Sequence, residues 1–442
     1  MTARIRLREA GIAFLAAFVA CSADVDRLAE DVIDATADTG PGDVPEEVEA
    51  DTGPLQCVDP WVGVPWDDAA DTTFLRGPYI QSVFSDSAVV VWRTQDVLKD
   101  EGCVHYWVDS EEKVSCDLPD KHGQYEVTLT GLSPYTMVPY RVTVEGAGLE
   151  TMDLKFRTAP DDPRPVRMLV FADSHINTVT MPKIAASALA DGTDLAVGVG
   201  DLVNQAEEAQ WDVFFNGLRP LLHRVPLWAV LGNHEARGQS YFDAFVVPGA
   251  SPDPPKEVYY SVRWGNVWFA ALEVVELDVA YWLQSETPMV NWLKEQLSSP
   301  AAREARWRFL FIHEPPWCVG WGHCDNPVYQ GEKSVREILV PIAVDYGVTA
   351  IFDGHMHGYG HGVKDGLNLF IAGGAGGALD HGCPLPPPEV GLPQPWTEVY
   401  EHHRLRVDAG CDLLVVQALA LDDDETVIDR VEIPYQEPPP LP

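Results

Sequence analysis

Leu227-Trp228-Ala229-Val230-Leu231-Gly232-Asn233-His234-Glu235 decides how this chain is read. Five apolar residues, the length of a strand buried on both faces, run without a break into a glycine and three polar side chains. The same arrangement recurs on either side of it. Met168 to Ala172 leads into Asp173-Ser174-His175, Leu195 to Val199 into Gly200-Asp201, Phe309 to Ile312 into His313, and Val348 to Phe352 into Asp353-Gly354-His355-Met356-His357. A further apolar run spans Val267 to Leu272. Helical spacing over Pro182–Ala190, Ala206–Leu222, Met289–Leu297 and Lys333–Asp345 alternates with these runs, the pattern of an α/β domain. Ligands bind beyond the carboxyl ends of strands in such a domain, so the polar residues that follow each run are expected on one rim.

Aspartate, histidine and asparagine are metal-competent side chains. Two cations held about 3.5 to 4 Å apart need a bridging carboxylate to offset their repulsion, and they supply the hydroxide that hydrolysis requires at neutral pH. The ordered set Asp-x-His, Gly-Asp, Gly-Asn-His-Glu, His and Gly-His-x-His resembles the signature of calcineurin-like metallophosphoesterases. The resemblance implies a four-layer α/β/β/α catalytic domain. It implies one metal on Asp173, His175, Asp201 and His357, and a second on Asp201, Asn233, His313 and His355, with Asp201 as the bridge. It also makes His234 the proton donor to the leaving alkoxide, and metal-bound hydroxide the nucleophile. Imidazole suits the donor role because its pKa lies near the working pH. The cofactors expected are two metal ions, and Fe, Zn and Mn all accept imidazole, amide and carboxylate.

Upstream, short β-forming runs separated by turn signals (Tyr79–Phe84, Ala88–Thr94, Val104–Val108, Tyr125–Leu129, Val138–Val144 and Leu154–Thr158) predict a small all-β sandwich over 73–160. Gly77-Pro78-Tyr79, Ser87-Ala88-Val89-Val90-Val91-Trp92, Leu132-Ser133-Pro134 and Phe156-Arg157-Thr158-Ala159-Pro160 resemble the fibronectin type III-like N-terminal domain of purple acid phosphatases. The catalytic domain is expected over 164–435, after the joint Asp161-Asp162-Pro163-Arg164-Pro165, with a proline-rich tail at 436–442. The chain departs from the purple enzymes at Val138, at Gly358-Tyr359-Gly360-His361 after Gly-His-x-His, and at two positions of the metal motifs. Their Gly-Asp-x-x-Tyr, whose phenolate gives the colour, is here Gly200-Asp201-Leu202-Val203-Asn204, and His175 stands where they have glycine. The expected site is a His-for-Tyr variant with no tyrosinate-to-iron band.

Asp and Glu total 68 against 30 Lys and Arg, a formal charge of -38, which argues against binding nucleic acid or an anionic membrane surface. Arg4, Arg6 and Arg8 followed by an apolar stretch from Gly11 to Ala20 read as an export leader over 1–20. Phe18-Val19-Ala20-Cys21-Ser22 resembles a lipobox, which would make Cys21 an acylated N-terminus and place the protein on the bacterial cell envelope; the alternative is an ordinary cleaved secretory signal. Asp24 to Asp51 holds eleven acidic residues against one Arg, too little apolar surface to fold, and a tether over 21–72 is expected. Cys103 with Cys116 and Cys318 with Cys324 are plausible local disulfides, though spacing does not settle connectivity. His323, His361 and His381 are expected in solvated loops, and Glu235 and Asp353 either beside ligand imidazoles or as caps. Trp317 and Trp321 imply a structured loop beside His313. The reading is an exported, lipid-anchored hydrolase of phosphoesters, with monoesters preferred. The alternatives are a phosphodiesterase on the same metals and an inert surface adhesion protein.

Overall fold

The computed structural model of the chain describes residues 57, 61, 63, 65–252, 256–275, 287–321, 329–383 and 391–442. The expected leader, Cys21, the acidic stretch from Asp24 to Asp51, His323 and Cys324 lie outside the described residues.

Strands β1 (Arg76–Gln81), β2 (Ser87–Arg93), β3 (Gly102–Val108), β4 (Glu111–Asp117), β5 (Gln124–Thr130), β6 (Met137–Val144), β7 (Leu149–Glu150) and β8 (Leu154–Arg157) form two antiparallel sheets. Their orders are β1-β2-β5 and β4-β3-β6-β7, with β8 beside β6. Along β2 the two-residue period sends Ala88, Val90 and Trp92 into the sandwich core, and Val89 and Val91 into the helical cluster that holds Trp211, Phe214 and Phe215. Strand β4 escaped the sequence reading because Glu111-Glu112-Lys113-Val114 offers no apolar alternation. It forms because Asp109 and Ser110, with φ of 51° and 69°, make the tight turn that folds it back on β3. Cys103 and Cys116 face each other across that hairpin and are disulfide-bonded.

Thirteen strands follow: β9 (Val166–Phe171), β10 (Leu195–Val199), β11 (Leu227–Val230), β12 (Tyr259–Trp264), β13 (Val267–Leu272), β14 (Trp307–Phe311), β15 (Ala350–Asp353), β16 (Tyr359–Lys364), β17 (Leu367–Ala372), β18 (Trp396–Val399), β19 (His403–Ala409), β20 (Leu413–Ala420) and β21 (Val427–Pro434). They build a six-stranded sheet, β11-β10-β9-β19-β20-β21, and a seven-stranded sheet, β12-β13-β14-β15-β17-β16-β18. The strands that lead into the site are parallel within each sheet: β9, β10 and β11 in one, β14 and β15 in the other.

Alternation along these strands explains the layering. Met168, Val170, Val197, Phe269, Phe309, Phe311 and Phe352 share the core between the sheets, while Leu169, Phe171, Ala196, Trp268, Ala270, Leu310 and Ile351 join the helical cluster. Phe311, Phe352 and Phe370 stack in series at ring separations of 5.3 and 5.2 Å. Each such buried ring contributes about 2 kcal/mol or more by leaving water. The helices that cover the sheets include α1 (Thr180–Asp191), α2 (Glu208–Gly217), α3 (Arg219–Leu222), α4 (Gln239–Ala244) and α5 (Pro288–Ser298). The helix expected over Lys333–Asp345 begins instead as a π turn, Val335–Leu339, ahead of an α segment at Val340–Asp345. Pro341 lacks the N–H that would close the ordinary ladder there.

Two expectations need correction. The tether does not reach residue 72: Trp66 is buried and donates Nε1–H to Thr193 O (2.9 Å), Trp61 donates to Asp194 Oδ2 (2.7 Å), and Cys57 is disulfide-bonded to Cys411. The acidic composition that keeps a chain solvated ends near Asp51, and the tryptophans beyond it bring apolar surface worth burying. Cys318 does not pair with Cys324. It is a buried free thiol, while Cys383 is disulfide-bonded. Nearness in sequence misled here, because the extended segment 317–321 pairs across to 381–383, with Gly320 bridged to Gly382.

The sandwich sits against α2 and α3. Tyr79 stacks on Phe215 at 4.0 Å and donates to Ala244 O at 2.9 Å. Arg219 donates to the carbonyls of Asp71, Phe74, Leu75 and Gly77. His223 is fully buried beside it, with Nδ1–H given to Pro78 O (2.6 Å) and Nε2 accepting from Asp71 N (3.0 Å). Burial pushes its pKa down to about 4.

Candidate metal centre

The loops after β9, β10, β11, β14 and β15 converge, and their backbone is unusual. Asp173, His175, Asp201 and His355 all have positive φ (59°, 45°, 50° and 66°), a conformation that costs a non-glycine residue energy and persists only where surroundings impose it. Glu235 does much of the imposing. Fully buried, it accepts from the backbone N–H groups of Asp201 (2.9 Å), Leu202 (2.9 Å), Val203 (3.3 Å) and Gly232 (2.7 Å). Burial, together with the Asp201 charge, raises its pKa to about 7. Glu235 is thus a backbone cap, the second of the roles expected for it. Asp353 fits neither role: it is buried, its carboxyl is held well above the usual range by that burial, and neither of its oxygens has a hydrogen-bond partner among the described residues. Gly377, in the run Gly373-Gly374-Ala375-Gly376-Gly377, lies so close that a Cβ there would come within 2.6 Å of the His357 ring and 2.8 Å of His175.

All eight sequence-predicted site residues meet at this rim. Asp173 Oδ2 accepts from His355 N (2.8 Å), while its buried Oδ1 has no hydrogen-bond partner among the described residues. His357 Nε2 is 3.6 Å from that oxygen and His175 Nε2 is 4.0 Å from it. The Nδ1 atoms of both rings are already committed, His357 to Ala378 O (2.7 Å) and His175 to Asn204 Oδ1 (3.2 Å). In the neutral rings the Nε2 atoms therefore carry the lone pairs, and these nitrogens lie 3.2 Å apart. Across Asp201 the pattern repeats. His313 gives Nδ1–H to Val199 O (2.9 Å), which leaves Nε2 as a lone pair 3.3 Å from Asp201 Oδ2 and 3.1 Å from Asn233 Oδ1.

Acceptors facing acceptors in a buried place are costly unless something positive lies between them. Ligand atoms of Asp173, His175 and His357 lie within 4.8 Å of one another, and so do those of Asp201, His313 and His355. This oxygen and imidazole donor set fits a pair of transition-metal ions, with Asp201 within 3.9 Å of His175 Nε2 and 3.3 Å of His313 Nε2. The electrostatics favour positive charge at these places. Burial opposes charge on His313 and His357, but Asp201 and Asp173 outweigh it, holding His313 well above its usual value and His357 at about 9, so that without a metal a proton takes the cation's place on these rings. Burial likewise acts to raise Asp201, yet His313 and His234 pull its pKa below the usual carboxylate range. His355, with burial and His313 both against a proton, falls to about 3.

His234 differs from the rest. Its side chain is 40% exposed, its N–H donates to Asp201 Oδ1 (2.9 Å), and its Nδ1 is held by Asn204 O (2.8 Å). Nε2, 3.8 Å from Asp201 Oδ2, points into the rim, where His175, Asp201 and His234 form a third group of ligand atoms. Around the opening, Trp321 and Tyr329 pack on His355 at ring separations of 4.9 and 5.2 Å, and residues 322–328 of the loop expected beside His313 lie outside the described residues. Glu398 of β18 anchors it by accepting from Val319 N, Gly320 N, Trp396 Nε1 and Tyr400 Oη. His381 is exposed at this rim, whereas His361 stacks on Phe370. Sequence reasoning missed Asn204, Asp380 (which accepts from His357 N at 2.7 Å) and Glu398. For Asn204 the signal was available, three residues beyond Gly-Asp; Asp380 and Glu398 come near only through the fold.

This rim defines the class. Residues 166–359 match the calcineurin-like phosphoesterase family, and the chain carries a calcineurin-like metallophosphoesterase domain. Beyond the domain, the chain is 25% identical over 271 residues to purple acid phosphatase 23 of Arabidopsis thaliana, an alignment covering 53% of this chain and 57% of that protein. The chain thus spans little more than half of that relative. Its fold is similar to the purple acid phosphatase PPD1 from yellow lupin (Lupinus luteus) seeds, with a TM-score of 0.69 and 16% identity over 83% of this chain and 74% of that one. It is also similar to the structure of PhoD, with a TM-score of 0.61 and 11% identity over 85% and 92%.

Proposed function

We propose that this chain hydrolyses phosphoesters, preferentially monoesters, at two metal ions. Asp173, His175, Asp201 and His357 hold one of them, and Asp201, Asn233, His313 and His355 the other. The observation that carries the reading is the pair of lone-pair clusters either side of Asp201, which has no use in the fold unless cations join them. Bound there, the metals would supply Lewis acidity and an activated water for attack on phosphorus. The protein's own groups do the rest. The Nδ1 hydrogen bonds of His175, His313 and His357 aim three Nε2 atoms inward, and the Glu235 cap fixes the Asp201 loop. His234, tied at Nδ1 to the Asn204 carbonyl, presents Nε2 to the opening and holds there the proton that the leaving alkoxide takes. The donor set keeps net positive charge, because only two of its members are carboxylates, and that charge attracts a phosphate.

The domain pairing, an all-β sandwich over 73–160 before a catalytic domain over 164–435, supports the monoester preference. Export to an oxidising compartment is supported by the Cys57–Cys411 and Cys103–Cys116 disulfides and by the expected leader; anchoring through Cys21 follows from the lipobox resemblance. Parallel assays on 4-nitrophenyl phosphate and bis(4-nitrophenyl) phosphate, with Fe, Zn and Mn loaded in turn, test the reading. Higher kcat/KM on the monoester is expected. Preference for the diester would move the assignment to a phosphodiesterase, and no turnover of either ester would contradict it.

A further inference from the structure

The two positions at which this chain's metal motifs depart from the purple acid phosphatase pattern, His175 and Asn204, are in contact. Asn204 Oδ1 is the partner of His175 Nδ1 at 3.2 Å, and Asn204 Nδ2 donates back to His175 O at 3.2 Å. Asn204 is itself held: its N–H donates to Gln210 Oε1 (2.9 Å), and its carbonyl takes His234 Nδ1 (2.8 Å). One exposed asparagine therefore grips both the extra histidine and the proposed proton donor, the first through its side chain and the second through its backbone.

We propose that Asn204 is a positioning residue for metal binding, whose side chain fixes the ring and tautomer of His175 so that Nε2 faces Asp173, Asp201 and His357. The inference rests on the dinuclear reading above. A neutral imidazole carries its hydrogen on one nitrogen only, and the partner of that nitrogen decides which atom is left as a ligand. Without an acceptor at Nδ1, the hydrogen is free to sit on Nε2, where it blocks coordination, and the ring is free to turn away from Asp173. His175 lies on a short loop at positive φ with its own carbonyl tied to Asn204, so the same side chain also holds the backbone that aims the ring. Partners of this kind, one step removed from the metal, are worth 10- to 100-fold in metal affinity. The arrangement joins the two departures physically: the amide at position 204 supplies the acceptor that the histidine at position 175 uses at Nδ1.

The test is a competition titration of the full chain with zinc against a chelator, comparing the wild type with Asn204→Leu and Asn204→Asp. The wild type is expected to bind two zinc ions. Asn204→Leu should bind one of them 10- to 100-fold more weakly and leave the other unchanged, while Asn204→Asp, which keeps the acceptor for Nδ1 but loses the donor to His175 O, should fall between Asn204→Leu and the wild type. In a His175→Ala background, Asn204→Leu should add nothing. Because residue 204 is exposed, neither change removes core packing; if Asn204→Leu does not fold, Asn204→Ala carries the same comparison. Equal zinc affinity in Asn204→Leu and the wild type would overturn the proposal, as would an Asn204→Asp variant as weak as Asn204→Leu. A wild type that takes up no zinc would instead overturn the dinuclear reading on which the proposal stands.

Discussion

Two buried polar clusters of this molecule, one under the sandwich and one at the rim of the two sheets, use the same residue types to opposite ends. Under the sandwich, the hydrogen-bonded donors of the Arg219 and His223 knot meet backbone carbonyls and the Asn216 side-chain oxygen, and His223 Nε2 receives an N–H in return. At the rim, Asp173 Oδ1 has no hydrogen-bond partner among the described residues, and two imidazole Nε2 atoms face each other at 3.2 Å. Neither burial nor residue type separates a structural cluster from a functional one. What does is whether donors and acceptors cancel: a cluster that cancels holds the chain together, and one left with acceptors only is built for a cation.

The comparison breaks first at His234. His234→Ala should lower turnover by about 10²- to 10⁴-fold while metal content, read by elemental analysis, stays at the wild-type level. Loss of metal in that variant would make His234 a ligand rather than a proton donor. Next, Arg219→Ala should cost about 3 kcal/mol in denaturant unfolding, because it strands carbonyls in the sandwich interface, and should leave metal content unchanged. A change in zinc binding there would blur the two clusters.

Acid sharpens the contrast further. His223 is neutral in the folded protein, with its pKa depressed to about 4 against 6.5 for the ordinary side chain. Between those values the unfolded chain binds the proton and the folded chain does not. Stability from this group is therefore complete above pH 6.5 and is lost as pH falls toward 4, up to about 3 kcal/mol. His223→Leu should lack that part of the acid-side slope when melting is followed against pH. The smallest expected effect is on substrate capture. The five loops 172–177, 200–206, 231–238, 312–316 and 353–358 contain one Lys or Arg, Arg237, and it is paired with Glu273 in a chain of net charge -38. An anionic ester is repelled at long range, so raising ionic strength from about 0.01 to 0.15 M should lower KM a few-fold; a rise in KM would mean a cationic patch that these loops do not contain.

The rim was more legible in the sequence than the knot, and the reason is physical. Each site residue follows directly on a strand buried on both faces, so a continuous apolar run ending in Gly-Asp or Gly-Asn-His-Glu marks both the element and the loop. His223 and Arg219 sit inside an ordinary helical pattern, and the backbone carbonyls they meet in the sandwich lie more than 140 positions away. The same limit hid β4, whose polar strand exists only through its pairing with β3, and it hid the end of the tether, where Trp61 and Trp66 find distant acceptors. Cys318 shows the converse error: local spacing proposed a bond that the cross-connection of segments 317–321 and 381–383 replaces. Asn204 falls between these cases, near the motif in sequence but meaningful only through what its two ends touch.

The central claim is that the acceptors around Asp201 exist to hold two metals. Elemental analysis of the purified protein beside Asp201→Ala tests it most directly. About two transition-metal ions per chain, lost in the variant, is the predicted result. A wild type that stays metal-free after incubation with Fe, Zn and Mn, or an Asp201→Ala variant that keeps both ions, would contradict it.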